Sequence, residues 1–343
     1  MPGRPRAFSG PDPSGHGIAH GRVSTRIRLN SPRRMDWDTF TQLTLNGLTA
    51  GSTYALIALG YTLVYGVLKL LNFAHGDVFM VGSFIGYGVL KVLGGASDPS
   101  VPVWLLLTLM VLGSMIGCAV LGVAIERFAY RPLRDAPRIA PLISALGVSF
   151  LLASSFQLMF GAQQYDYGIF SLDGGSLYTK GFEIGNVHVP LIRIITILSA
   201  FALMVVLWML VTRSRTGKAM RATSFDREAA AMMGIDIDRV IVFTFVIGSA
   251  LAGAAGVMFA LRVPTAASIG FVVGLKGFTA AVIGGIGSIP GAMAGGLILG
   301  FAEAYTAGYW TTRWSDLVIF SLLIAFMVFR PTGLLGQAGI KKV

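Results

Sequence analysis

The sequence predicts an all-α, polytopic helical membrane protein with about seven to nine transmembrane or re-entrant helices. Of its 343 residues, 54% are hydrophobic and only 13% are charged, and the mean hydropathy is +0.72. Roughly a quarter of the residues are charged in an ordinary soluble domain. The charged residues are also clustered, which leaves long stretches without Asp, Glu, Lys or Arg. This composition excludes a soluble enzyme.

Six charge-free stretches are long enough, or nearly so, to cross a bilayer. A helix needs roughly 20 residues to cross about 30 Å of hydrocarbon. The stretches are residues 39–68, 99–125, 139–165, 194–212, 240–261 and 277–302, and shorter gaps at 78–90, 263–275 and 317–329 add three marginal candidates. Strands of a membrane barrel would alternate over about ten residues. These stretches are long blocks rich in Leu, Ile, Val, Ala and Gly, so we expect helices.

The N-terminal segment 1–34 differs in composition from the rest of the chain. It is rich in Pro, Gly, Ser and Arg, which is typical of disorder, and it lacks the apolar stretch of a secretory signal. We expect a disordered basic extension, with Met35 as the true start of the protein. The segment holds seven of the 27 basic residues. The net charge of +11 therefore does not indicate a nucleic-acid partner.

Two basic segments predict the orientation of the chain. One contains Arg127, Arg131, Arg134 and Arg138, and the other, at 213–239, holds six basic residues. Basic loops face the cytoplasm by the positive-inside rule. The connector between the blocks 139–165 and 190–212 holds Asp166, Asp173 and Glu183 against only Lys180, so it is expected on the opposite side.

Residues that could carry chemistry are sparse. The lone Cys118 cannot form an internal disulfide, and Cys and His are not clustered as metal ligands are. The sequence has no G-x-x-x-x-G-K-[ST] nucleotide loop, no G-x-S-x-G turn and no H-E-x-x-H pair. We therefore expect no catalytic residue, no metal site and no cofactor.

The segment 213–239 contains a short helix signal. Ser224 precedes a run of Ala and Met that stops at Gly234, which predicts a helix capped by Ser224 and ended by that glycine. The apolar residues of this run are Ala229, Ala230, Met232 and Met233. Such a patch would pack on lipid, on a soluble partner or on the protein's own helices.

The same segment resembles a known family. Glu228-Ala229-Ala230 followed by Gly234 is similar to the EAA-x3-G loop that docks bacterial ABC-importer permeases onto their ATPases. Residues 43–87, 125–134, 141–150, 237–257 and 274–304 resemble the LivH-type permeases of branched-chain amino acid importers. The likeness covers about 35–340, although the Leu-Pro pair that follows the EAA pattern is absent here, which leaves the end of the docking helix undefined.

The resemblance implies a transmembrane permease domain at 35–343, with a cytoplasmic coupling loop at 213–239. The residues it implies for ATPase coupling are Arg227, Glu228, Ala229, Ala230 and Gly234. It further implies a bacterial inner-membrane location, a LivM-like second permease, two cytoplasmic ABC ATPase subunits and a periplasmic amino-acid-binding protein. The implied substrates are leucine, isoleucine and valine, and the lipid bilayer is the other expected contact.

Two other functions stay open. An ion-coupled secondary transporter would place carboxylates on broken helices, and only Asp77 and Glu303 are eligible. An ABC permease for another amino acid, urea or a short amide is the second alternative. A chain without its own ATPase site depends on a partner or on an ion gradient for energy.

Two breaks in apolar sequence supply candidates for the translocation pathway. The first, Asn72 to Asp77, interrupts an apolar run from 42 to 90 that is too long for one span. It is either a surface connector or a broken helix at membrane depth. The second break is at 284–291. The candidate residues are Asn72, His75, Gly76, Asp77, Gly287, Ser288 and Pro290.

Lys276 and Glu303 are charged residues within apolar sequence. Charges are costly inside a membrane, so we expect the two side chains to face each other or a polar cavity. A structural role is the default expectation for such a pair.

Overall fold

A computed structural model describes residues 37–95, 101–134, 136–137, 139–168, 181–184 and 187–336 of the chain. The N-terminal extension 1–34 and Arg138 lie outside the described residues. Within them, the chain is almost entirely helical. The helices are α1 Trp37–Leu68, α2 His75–Val92, α3 Val103–Ile125, α4 Ile139–Phe160, α5 Leu191–Arg213, α6 Arg215–Phe225, α7 Arg227–Met232, α8 Ile237–Ala260, α9 Ile269–Gly284, α10 Ile289–Tyr309 and α11 Thr312–Phe329.

Four small elements complete the described structure. A π-helical turn, Glu126–Tyr130, and a 3-10 turn, Arg131–Leu133, continue α3 toward α4. Two short strands, β1 Gly181–Ile184 and β2 Val187–Pro190, pair antiparallel before α5. They lie in the connector that the sequence predicts between two spans.

The number of long helices agrees with the predicted seven to nine. Six of them are long and apolar enough to cross a membrane: α1, α3 with its continuing turns, α4, α5, α8 and α11. Helices α2, α9 and α10 have 18, 16 and 21 residues. The described residues thus form a multi-pass, all-α membrane protein.

One predicted span is wrong. The stretch 277–302 is not a single helix, because the chain leaves the helical conformation between α9 and α10. Gly285 and Gly287 have φ angles of 103° and 96°, which only glycine adopts readily. The marginal candidate 263–275 is also not a span, since α9 begins only at Ile269.

Helix α1 is the buried centre of the bundle. In the most apolar 18-residue stretch of α1, 89% of the residues are buried, whereas the corresponding fraction for α11 is 11%. It runs antiparallel to α10, with Gly296 against Ala55 and Gly300 against Gly51. A Cβ atom on Gly300 would lie 2.3 Å from the Cα of Gly51. Glycine therefore permits the close approach of the two backbones, as in many membrane helix pairs.

The two basic segments lie at the same end of the bundle. Arg131, beyond α3, pairs with Asp238 in the first turn of α8 at 2.8 Å. At the other end, Tyr165 and Thr265 form an antiparallel bridge between the segments that follow α4 and α8. The basic segments and the segments that follow α4 and α8 thus lie at opposite ends of the bundle, as the predicted alternation of membrane sides requires.

Candidate translocation and coupling sites

The first break folds back into the bundle. Helix α1 ends at Leu68, and Lys69 has a φ angle of 58°. The His75 ring, at the start of α2, packs on the α1 backbone at Gly60, where an added Cβ would lie 2.2 Å from Nε2. Gly60 lies eight residues before the end of α1, which corresponds to about 12 Å. The segment therefore folds back alongside α1 and does not project beyond the helix end.

Asn72 and Gly76 are held by the surrounding packing. Asn72 is 2% exposed, and its Oδ1 accepts a hydrogen bond from the Tyr130 hydroxyl at 3.2 Å. A Cβ on Gly76 would lie 2.4 Å from the carbonyl oxygen of Gly270. The first turn of α2 thus lies directly against the first turn of α9.

Asp77 lies at the meeting point of three helices. It is 1% exposed, and its Oδ2 accepts a hydrogen bond from the Ser149 hydroxyl on α4. Its Oδ1 lies beside Gly270, where an added Cβ would be 2.5 Å away. Asp77 is thus near the amino-terminal ends of both α2 and α9, and helix amino termini stabilise negative charge.

Ser149 and Gly270 are partners of Asp77 that sequence reasoning did not identify. Ser149 is one of four serines in α4, and Gly270 is one of 44 glycines. Nothing in the local sequence distinguishes either residue, because their role depends on how α4 and α9 pack.

The second break lies elsewhere, near the end of α1. Gly287 and Pro290 are exposed. The Cα of Gly287 would lie 4.0 Å from a Cβ added at Gly66, near the end of α1. The Ser288 hydroxyl caps α10 by accepting a hydrogen bond from the Gly291 nitrogen at 3.2 Å. Pro290 falls in the first turn, where a missing N–H costs nothing. The structure does not bring the two groups of pathway candidates together, since His75 lies near Gly60 instead.

The cap predicted for the short helix of the coupling segment (residues 213–239) is wrong. Asp226, not Ser224, caps α7, because its Oδ1 accepts hydrogen bonds from the backbone nitrogens of Glu228 and Ala229 at 3.0 and 3.1 Å. Ser224 belongs to the last turn of α6, and its hydroxyl donates to the carbonyl oxygen of Arg221. An additional helix, α6, therefore precedes the predicted one.

Helix α7 ends as the sequence indicates, but its apolar residues do not form one exposed patch. Gly234 has a φ angle of 79° and ends the short helix. Met232 and Met233 are 82% and 83% exposed, whereas Ala230 is buried against the rest of the chain. The predicted apolar patch is thus divided, with the methionines accessible to another molecule.

Polar contacts tie α7 to the bundle. Arg227 donates through Nη2 to the carbonyl oxygen of Val67 in the last turn of α1, at 2.9 Å. Burial and the nearby charge of Arg134 lower the pKa of Arg227. Arg134 itself binds the carboxylates of Glu126 and Asp238. The basic side chains of α7 and of the turns after α3 therefore lie close together, and Arg134 links those turns to the start of α8.

Lys276 and Glu303 do face each other. Lys276 Nζ lies 2.6 Å from Glu303 Oε1 and 2.9 Å from Asp316 Oδ1. The Tyr54 hydroxyl donates to Glu303 Oε2 at 2.6 Å. This cluster joins α9, α10, α11 and α1.

A family profile and several similar proteins carry the description of branched-chain amino acid transport permeases. A family profile described as "Branched-chain amino acid transport system / permease component" matches residues 43–327. The high-affinity branched-chain amino acid transport permease BraD of Pseudomonas aeruginosa is 42% identical over 305 residues, which cover 89% of this chain and 98% of BraD. LivH of Salmonella typhimurium is 43% identical over 309 residues, with the same coverage.

A more distant relative is also named as a high-affinity branched-chain amino acid transport permease. LivM of Salmonella typhimurium is 24% identical over 302 residues, which cover 82% of this chain and 67% of LivM. The family profile and the close relatives span nearly all of the helical region described above. The chain therefore belongs to the family of branched-chain amino acid transport system permease components.

Proposed function

We propose that this chain is a membrane permease subunit of an ABC importer that carries leucine, isoleucine and valine across the bacterial inner membrane. The observation that carries the proposal is identity of 42% and 43% to permeases named for this transport, over 98% of their length. The absence of a nucleotide-binding loop from the sequence supports the same role. ATP hydrolysis is then the task of other subunits, and the chain is not itself an enzyme.

The coupling segment is proposed to receive the ATPases. Two cytoplasmic ABC ATPase subunits would dock at α7 through the surface that contains Glu228, Ala229 and Met232. Exposed methionines suit such a surface, since they are flexible and adapt to a partner groove. The hydrogen bond from Arg227 to Val67 would pass movement of α7 to the central helix α1.

Two further partners follow from the proposed system. A LivM-like permease would complete the membrane part, and a periplasmic amino-acid-binding protein would deliver substrate from outside. The exposed sides of α4 and α11 offer large apolar areas to lipid or to the second permease. The chain's weak similarity to LivM supports a pair of related permeases.

The two helix breaks are proposed to act in translocation. Asn72, His75, Gly76 and Asp77 would take part through the first break, and Gly287, Ser288 and Pro290 through the second. The first group is buried in this conformation, so access to it requires movement of a neighbouring helix such as α4. Because the soluble receptor would do most of the selecting, we expect substitutions at Asn72, His75 or Ser288 to change transport rate more than substrate preference.

The test is uptake of labelled leucine by vesicles that contain this chain. ATP and an ion gradient are supplied separately, with and without the candidate ATPases, second permease and receptor. We expect uptake only with ATP and all partners present. Uptake by the chain alone on an ion gradient would replace the proposal with a secondary transporter. Competition by unlabelled valine, isoleucine, urea and short amides then identifies the substrate class.

A further inference from the structure

A cavity of about 340 Å³ lies beside the coupling segment, where α1 ends and α4 begins. Its polar lining comes from Lys69, Arg134, Thr223, Ser224 and Arg227, and its remaining described lining is mostly apolar. These side chains belong to the connection after α1, the turns after α3, and helices α6 and α7. The cavity is therefore formed only when four separate parts of the chain pack together.

The cavity has an excess of positive charge. Among its described lining residues, three are basic and none is acidic. Arg134 is already bound by two carboxylates, those of Glu126 and Asp238. By contrast, neither Lys69 nor Arg227 forms an ion pair with another described residue. Two cations thus face the cavity without a compensating carboxylate from its described walls.

An unsatisfied hydroxyl provides a second, independent observation. Thr223 is 1% exposed, and its Oγ1 has no hydrogen-bond partner among the described residues. Buried hydroxyl groups are normally paired, because an unpaired one loses its hydration without compensation.

Lys69 also has an unusual backbone, since its φ of 58° lies in a region that residues other than glycine rarely adopt. Such positions cluster at ligand-binding sites.

The location of the cavity favours a ligand that bears a phosphate group. The cavity lies at the end of the bundle that carries the basic segments, where the positive-inside rule predicts the cytoplasmic membrane surface. Basic recesses between transmembrane helices on this side bind phosphate-bearing headgroups. Phe225, at the cavity, is 81% exposed, and its ring is available to an acyl chain. Phosphate oxygens accept hydrogen bonds from several directions, which suits donors on separate elements.

We propose that this cavity binds the phosphate group of an anionic ligand, with Lys69 and Arg227 supplying the charge and Thr223 donating a hydrogen bond. The shared chemistry is a phosphate at the membrane surface, whether it belongs to an anionic phospholipid or is free in the cytosol. This inference does not depend on which substrate the permease carries.

The experiment measures ligand-dependent thermal stability of the full-length chain in dodecyl maltoside. The three probes are dihexanoyl phosphatidylglycerol, dihexanoyl phosphatidylcholine and inorganic phosphate. A ligand that binds the folded state raises the unfolding midpoint, and the rise grows with the logarithm of its concentration relative to its Kd. We expect phosphatidylglycerol to raise the midpoint more than phosphatidylcholine does. A rise with inorganic phosphate as well indicates a free-phosphate site, and a rise with phosphatidylglycerol alone indicates a lipid headgroup.

Matched variants distinguish the cavity from general charge effects. Thr223→Val keeps the side-chain shape but removes the donor, and Lys69→Gln removes the charge from an exposed side chain. Each should weaken phosphatidylglycerol binding about fivefold. Lys218→Gln removes one charge from the exposed side of α6, outside the cavity, and should bind as the unchanged protein does.

Three outcomes overturn the proposal. The first is that none of the probes shifts the unfolding midpoint. The second is that phosphatidylcholine binds as tightly as phosphatidylglycerol. The third is that Thr223→Val and Lys69→Gln bind phosphatidylglycerol as tightly as Lys218→Gln does.

Discussion

Lys276 is a single buried cation whose loss should weaken the packing of four helices. It pairs with Glu303 at 2.6 Å and with Asp316 at 2.9 Å. Removing one partner of a buried ion pair costs about 3–5 kcal/mol, because the other charge is left uncompensated. Lys276→Met should therefore lower the unfolding temperature markedly. Asp316→Asn should cost no more than about 1 kcal/mol, since the Asp316 side chain is 56% exposed.

Thermal unfolding of the purified chain in detergent checks this expectation. The double variant Lys276→Met with Glu303→Gln removes both charges of the pair and should recover part of the lost stability. A double variant less stable than Lys276→Met alone would show that the ion pair is not the cause.

Two glycines of α2 provide a test of how closely this helix packs against α8. A Cβ on Gly82 would lie 2.5 Å from the Cα of Gly253 on α8, whereas a Cβ on Gly88 meets nothing within 4 Å. Gly82→Ala should therefore separate α2 from α8 and reduce the yield of folded protein. Gly88→Ala should be neutral or stabilising, by up to about 1 kcal/mol, because alanine is the better helix former. Size-exclusion profiles and unfolding temperatures of both variants measure the difference, and equal losses would contradict the packing argument.

Helix α7 depends on its cap, because it has only six residues. Asp226→Ala should lower the stability of this short helix by about 1 kcal/mol. We expect loss of receptor-stimulated ATP hydrolysis in the assembled importer, whereas insertion of the chain into the membrane should continue. Asp226→Asn keeps a good capping side chain and should retain most activity. Ser224→Ala is the matched control, since its hydroxyl bonds within α6. Loss of activity in Ser224→Ala with normal activity in Asp226→Ala would reverse the assignment.

Apolar runs predicted the helices well, whereas contacts between helices could not be read from the sequence. Absence of charge located α1, α3, α4, α5 and α8, because crossing a membrane demands long apolar segments. The cap of α7 was misplaced since Ser224 and Asp226 are both capping residues two positions apart. Only the tertiary structure shows that α6 extends through Ser224. The surroundings of Asp77 were equally hidden, because Ser149 and Gly270 reach it from distant parts of the chain.

The molecule as a whole has two chemically different ends. One end carries the coupling segment and the basic side chains that surround Asp238. The other carries the bridge between Tyr165 and Thr265 and the strand pair β1–β2. Because basic segments stay in the cytoplasm, the first end should face inward and the second outward.

Thiol labelling of intact cells tests this orientation. Cys118 is buried, so the unchanged protein should remain unlabelled by a membrane-impermeant maleimide and serves as the background. Glu183→Cys places an exposed thiol on β1, and Arg239→Cys places one beside the start of α8, where the arginine side chain is 88% exposed. We expect Glu183→Cys to react in intact cells and Arg239→Cys to react only after the membrane is opened. The reverse pattern would show that the bundle has the opposite orientation in the membrane. The coupling segment would then lie outside the cell, where no cytoplasmic ATPase could reach it.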